Sequence, residues 1–141
     1  MTQHEIFEFI NKNQTCYLAT SEGNKPHVRG MLIYRADSNG IIFHTGTTKD
    51  IFKQIQNNPN VELCFTNNDF QNLVQIRVSG TAVLENDINL KEEIVANRPF
   101  LKTITDRFGY DFFAVFRVKD LVATVWTMAT NLSLKNYIEL K

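Results

Sequence analysis

The chain has 141 residues, 43% of them hydrophobic, and its 15 basic and 15 acidic side chains cancel. That length and apolar share suit a single domain, residues 1–141, that buries its own core. A formal charge of zero without a Lys/Arg-dense tract argues against nonspecific nucleic-acid binding and against a polybasic membrane anchor.

The first residues, Met1-Thr2-Gln3-His4-Glu5, are polar and acidic where a secretory signal would be basic and then apolar. No apolar run approaches the ~18 residues of a spanning helix, so a cytoplasmic protein without membrane contact is expected. Gln3 to Asn11 carries Ile6, Phe7 and Ile10 at helical spacing and reads as a short amphipathic helix. Thr15 to Ser21 alternates as a strand, Glu22-Gly23-Asn24-Lys25 supplies a turn, and His27 to Arg35 runs extended. Asp37-Ser38-Asn39-Gly40 then turns into a third strand from Gly40 to Thr45.

A second helix is predicted over Thr48 to Asn57, ended by Asn57-Asn58-Pro59 because proline cannot continue it. Val61 to Thr66 and Leu73 to Leu84 follow as strands. The second of these is long, with Val74, Ile76, Val78, Gly80 and Ala82 inward and Gln75, Arg77 and Ser79 on the other face. A third helix spans Asn89 to Asn97, with Leu90, Ile94 and Val95 inward. Phe112 to Val118 and Leu121 to Trp126 read as a final hairpin around Lys119-Asp120. Six or seven strands with few helices between them predict a mainly β protein, a small antiparallel barrel with peripheral helices, because closure removes exposed edges.

Cys16 and Cys64 sit in apolar strand-like runs without metal-ligand spacing. They read as reduced packing residues, and no metal site is expected.

The junction His44-Thr45-Gly46-Thr47-Thr48-Lys49-Asp50-Ile51 closes an apolar run and opens a helical one. A helix start leaves N–H groups unpaired and carries partial positive charge, so Thr45, Thr47, Thr48 and Lys49 suit one phosphate group. The plainer alternative is that Thr47 caps the helix and Lys49 is solvated. One hairpin upstream, Arg29 lies on the face opposite Val28, Gly30 and Leu32, from where it could reach the same phosphate.

In order along the chain, several segments together resemble the pyridoxamine 5'-phosphate oxidase-like family of FMN-binding split barrels. They are Tyr17-Leu18-Ala19-Thr20, Pro26-His27-Val28-Arg29-Gly30-Met31, Ile42-Phe43-His44-Thr45, Lys49, Asn58-Pro59-Asn60-Val61-Glu62-Leu63 and Val78-Ser79-Gly80-Thr81-Ala82. The likeness is good from Gln14 to Leu84 and looser over the final strands. It implies a six- to seven-stranded split barrel and a homodimer holding FMN where two barrels meet. It also implies that Arg29, Thr47 or Thr48, and Lys49 hold the flavin phosphate, that Gly30, Met31 and Leu32 lay their backbone along the ring, and that His44, Thr45 and Gln75 contact the cofactor.

Trp126 reads either as an aromatic beside the flavin or as an interface anchor, and Arg77 either as a flavin contact or as a cross-strand ion pair. His27 and His44 could each contact the cofactor or simply be hydrogen-bonded. Vitamin B6 oxidases carry a C-terminal Arg-containing segment for their substrate. Here that stretch reads Thr127-Met128-Ala129-Thr130-Asn131-Leu132-Ser133-Leu134-Lys135, so the likeness supports the flavin site and not that activity. Tyr34 also stands where a further cation is expected.

The expected function is an FMN-dependent oxidoreductase acting on an unidentified small molecule. Its alternatives are a flavin-binding sensor or stress protein without turnover, and the same barrel holding haem or a deazaflavin. No side chain stands out as a general acid or base, and hydride transfer to a flavin requires none.

Overall fold

The computed structural model describes residues 1–141. Helix α1 (Gln3–Lys12) starts at a capping box in which Thr2 accepts from the Glu5 amide and the Glu5 carboxylate accepts from the Thr2 amide. Strands β1 (Thr15–Glu22), β2 (Lys25–Asp37) and β3 (Gly40–Gly46) form the predicted meander, and helix α2 (Asp50–Asn57) follows. Next come β4 (Asn60–Thr66), β5 (Val74–Glu85), α3 (Ile88–Asn97), a 3-10 turn at Pro99–Leu101, α4 (Lys102–Phe108), β6 (Phe113–Thr127) and the short β7 (Ile138–Glu139).

The strand order is β3-β2-β1-β4-β5-β6-β7, and an added β3–β6 pairing closes the first six into an antiparallel barrel. Side chains from all six strands fill it, with Phe43, Phe65 and Phe116 fully buried, and Ile6 and Ile10 of α1 join the same cluster. Both faces of β3 are covered. Ile41 and Phe43 point into the barrel, while Ile42 packs with Phe113 and Val115 against Leu90, Ile94 and Val95 of α3. Two buried faces explain why Ile41-Ile42-Phe43 is continuously apolar instead of alternating.

The predicted hairpin at Lys119-Asp120 does not form. Residues 113–127 are one strand, paired with β3 along its first half and with β5 along nearly all its length. Asp120 takes φ +55 there, and the β5–β6 register shifts between Ser79 and Thr81, which makes a bulge. The bulge bends the long strand so that it can serve both neighbours. Turn chemistry at Lys119-Asp120 therefore marked a kink, because the closing strand gains more hydrogen bonds by continuing than by reversing.

Two further boundaries differ from the sequence reading. Helix α2 begins at Asp50, with Lys49 in the capping position and no side-chain cap. Thr47 is therefore not the cap, since its amide donates to the Phe112 carbonyl at 3.0 Å and holds it out of the helix. Segment 99–108, to which the sequence assigned no element, forms the 3-10 turn and α4. Cys16 is buried, and burial pushes its thiol up to about 12, so it packs and does not react.

Candidate functional site

Strand β2 pairs with β1 from Lys25 to Leu32 but with β3 only from Ile33 onward. Residues His44, Thr45 and Gly46 pair instead with Val115, Ala114 and Phe113 of β6. The two strands thus diverge, and one edge of β2 over Arg29–Leu32 faces no strand. A cleft of about 320 Å³ occupies the gap. Unpaired peptide groups on such an edge can hydrogen-bond a planar polar ligand.

Seven of the residues singled out from sequence line this cleft: Arg29, Gly30, Met31, Leu32, His44, Thr45 and Lys49. A Cβ built on Gly30 would meet nothing within 4 Å, so the missing side chain leaves open space beside the strand. Arg29 and Lys49 supply two cations from different elements. Burial holds the Arg29 guanidinium below the ordinary arginine value, with Asp50 nearby acting in the opposite direction. A guanidinium so lowered is still charged at neutral pH.

Arg29 is not loose. Its Nη1 donates to Thr20 Oγ1 at 2.8 Å and to the Leu18 carbonyl at 3.4 Å, and its Nη2 donates to Gln54 Oε1 at 2.6 Å.

His44 packs against Phe113 with ring centroids 5.0 Å apart and the rings tilted by 39°, and its Nε2 is buried without a partner. Burial first, then the Arg98 and Lys49 cations, push its pKa down to about 4. Unfolded, the imidazole would protonate near its ordinary 6.5, so unfolding takes up a proton between those two values. Stability is expected to decline as pH falls from about 6.5 to about 4 and then to level off for this group. Urea midpoints across that range should show a shallower slope for His44→Gln than for the wild type; parallel slopes would remove His44 from the account.

Six singled-out residues lie outside the cleft. Thr47 and Thr48 belong to the turn before α2 and do not line it. Gln75 and Trp126 are cross-strand partners on β5 and β6, and the Trp126 indole donates to Asn131 Oδ1 at 2.9 Å. Arg77 forms the cross-strand ion pair with Glu62, Nε to Oε1 at 3.6 Å. His27 does not line the cleft and keeps a buried Nε2 without a partner.

The sequence reading missed the outer wall, where Leu101, Ile104, Phe112 and Phe113 complete the cleft with Ile51 and Gly46. The spacing of Leu101, Ile104, Thr105 and Phe108 was the available signal for that helix.

Comparison with known proteins agrees with this geometry. No curated protein matches the chain. Among solved structures, a NimC/NimA family protein from Clostridium acetobutylicum is 24% identical with a TM-score of 0.79, covering 98% of this chain and 92% of that one. General Stress Protein 26 from Bacillus anthracis is 21% identical with a TM-score of 0.70, covering 98% of each chain. A FAD-binding protein from Mesorhizobium loti (13% identity, TM-score 0.63, 87% of this chain and 94% of that one) has the same fold. So does HutZ, the haem storage protein from Vibrio cholerae, at 19% identity and a TM-score of 0.58, covering 82% of this chain and 87% of that one. The sequence pattern of pyridoxamine 5'-phosphate oxidase matches residues 2–118. With the barrel split between β2 and β3, that match places the chain in the pyridoxamine 5'-phosphate oxidase family.

Proposed function

We propose that this protein binds FMN in the split between β2 and β3 and acts as an oxidoreductase on a small molecule. The observation that carries the reading is that Arg29 and Lys49 line the same cleft as the unpaired Gly30–Leu32 edge. Two cations lining one cleft suit a phosphate, and a bare strand edge beside Gly30 suits a flat ring. When bound, the flavin would supply the electron or hydride chemistry. The protein's share is to anchor the phosphate through Arg29 and Lys49 and to keep His44 neutral beside the ring.

A homodimer belongs to the same proposal. Tyr17 and Val28 are 60% and 68% exposed on the outer sheet face, which continues through Arg77 to Gln75 and Trp126. A second copy seated there would bring Gln75 and Trp126 to a neighbouring cleft. No helix is long and apolar enough to cross a membrane.

One observation favours haem as a second reading: His44 offers a neutral imidazole with an uncommitted Nε2, which is what an axial ligand requires, and HutZ shares the fold. Adding FMN or haemin to purified protein, desalting and recording a visible spectrum separates the two. Retained flavin bands are expected. A Soret band with no retained flavin would replace the first reading by the second, and a colourless protein after both additions would end both.

A further inference from the structure

The Arg29 guanidinium is gripped from behind by two buried uncharged side chains on different elements. Thr20 of β1 is 2% exposed and Gln54 of α2 is 4% exposed. Thr20 Oγ1 donates to Gln54 Oε1 at 2.6 Å, and the same Gln54 oxygen receives Arg29 Nη2 at 2.6 Å, while Thr20 Oγ1 receives Arg29 Nη1 at 2.8 Å. Oxygen of the amide faces the pair because only an acceptor fits between two donors.

A guanidinium carries five N–H donors in a rigid fork. The Leu18 carbonyl, Thr20 and Gln54 take three of them, two on Nη1 and one on Nη2. Because Thr20 and Gln54 are themselves hydrogen-bonded, they sit together on the Nη1–Nη2 end. The remaining donors, Nε–H and one Nη2–H, form the side edge of the fork, which suits two oxygens of one phosphate. Neither gripping group is charged, so the positive charge of Arg29 stays available to an incoming dianion. A carboxylate at position 54 would hold the fork as firmly and cancel that charge.

We propose that Thr20 and Gln54 are positioning residues that aim the Arg29 side edge into the cleft and make the protein selective for phosphorylated over unphosphorylated flavin. This rests on the flavin reading above. It also gives α2 a second task, since the helix whose capping residue Lys49 lines the cleft carries Gln54 five residues later, so one helix supplies a cation and holds the other.

The test is the ratio of FMN to riboflavin affinity, followed by flavin fluorescence quenching, in Gln54→Leu, Gln54→Glu and Thr20→Val. Each is expected to lower the ratio about tenfold or more by weakening FMN alone, since one charge-assisted contact is worth about that factor. Gln54→Leu and Thr20→Val test the aim of the fork, whereas Gln54→Glu keeps both acceptor bonds to Arg29 and Thr20 and tests the need for an uncharged partner. In an Arg29→Ala background, Gln54→Leu should change the ratio no further. An unchanged ratio with Arg29 present, or equal losses for FMN and riboflavin, would overturn the positioning role. A wild-type protein that binds flavin but does not prefer FMN over riboflavin would overturn it too, together with the phosphate anchor, while leaving the ring site standing; no flavin binding at all would remove every part of the reading.

Discussion

Replacing Arg29 and Lys49 together by alanine is expected to weaken FMN binding by roughly 3–6 kcal/mol, because each charge-assisted contact to a phosphate is worth about 1.5–3 kcal/mol. Lys49 is exposed and Arg29 half-buried, so solvent screens the lysine more and its share belongs at the low end of that range. Arg29→Ala alone should therefore cost more than Lys49→Ala alone. Riboflavin lacks the phosphate and should bind the double variant and the wild type equally well. Isothermal titration with both flavins checks this. Wild-type FMN affinity in the double variant, or an equal loss for riboflavin, would mean that the phosphate is not held here.

Gly80→Val should destabilise the fold by roughly 2–3 kcal/mol, as overpacking against a rigid neighbour does. A Cβ at position 80 would lie 2.5 Å from the Lys119 carbonyl oxygen, at the edge of the β6 bulge, and 2.7 Å from Val118 Cγ1 just before it. The carbonyl is backbone and cannot rotate aside, so the bulge itself must shift. That bulge lets β6 pair with β5 on one side and β3 on the other, so the strain reaches the closure of the barrel. Urea denaturation would show a lowered midpoint. A change under about 0.5 kcal/mol, the usual range for an innocuous surface substitution, would show that the bulge is plastic.

Much of the architecture was legible before any coordinates. The meander from Thr15 to Gly46 announced itself by alternation and turn residues, and the stop at Asn58-Pro59 by proline's missing donor. Among the cleft residues, Arg29, Thr45 and Lys49 were within reach of local chemistry, and Gly30, Met31, Leu32 and His44 were reached through the family resemblance. Thr47 and Thr48 were named for the right reason and still miss the cleft. A strand-to-helix junction suggests that hydroxyls will face its ligand, but the Thr47 amide is tied to Phe112, a residue distant in sequence, and that bond sets where the helix can start.

The Lys119-Asp120 reading failed for a related reason. Turn-forming residues specify a local change of direction, and whether that change becomes a reversal or a bulge depends on which strands wait on either side. Helix α4 was overlooked because it is only seven residues long and its apolar stripe is incomplete, with Thr105 in the middle and Ile104 and Phe108 half-exposed. Gln54 read as an ordinary polar residue of α2 until the fold laid it against Arg29 and Thr20.

Period, punctuation and residue type, all properties of neighbours along the chain, were enough to determine a mainly β barrel and to mark the His44–Lys49 junction as a place for an anion to be sought. Tertiary structure alone decided that β2 and β3 part company, that Thr20 and Gln54 brace Arg29, and that Gln75 and Trp126 lie outside the cleft. The reason is physical: hydrogen bonds between strands and the burial of a side chain depend on partners far away in sequence, whose positions exist only once the barrel has closed.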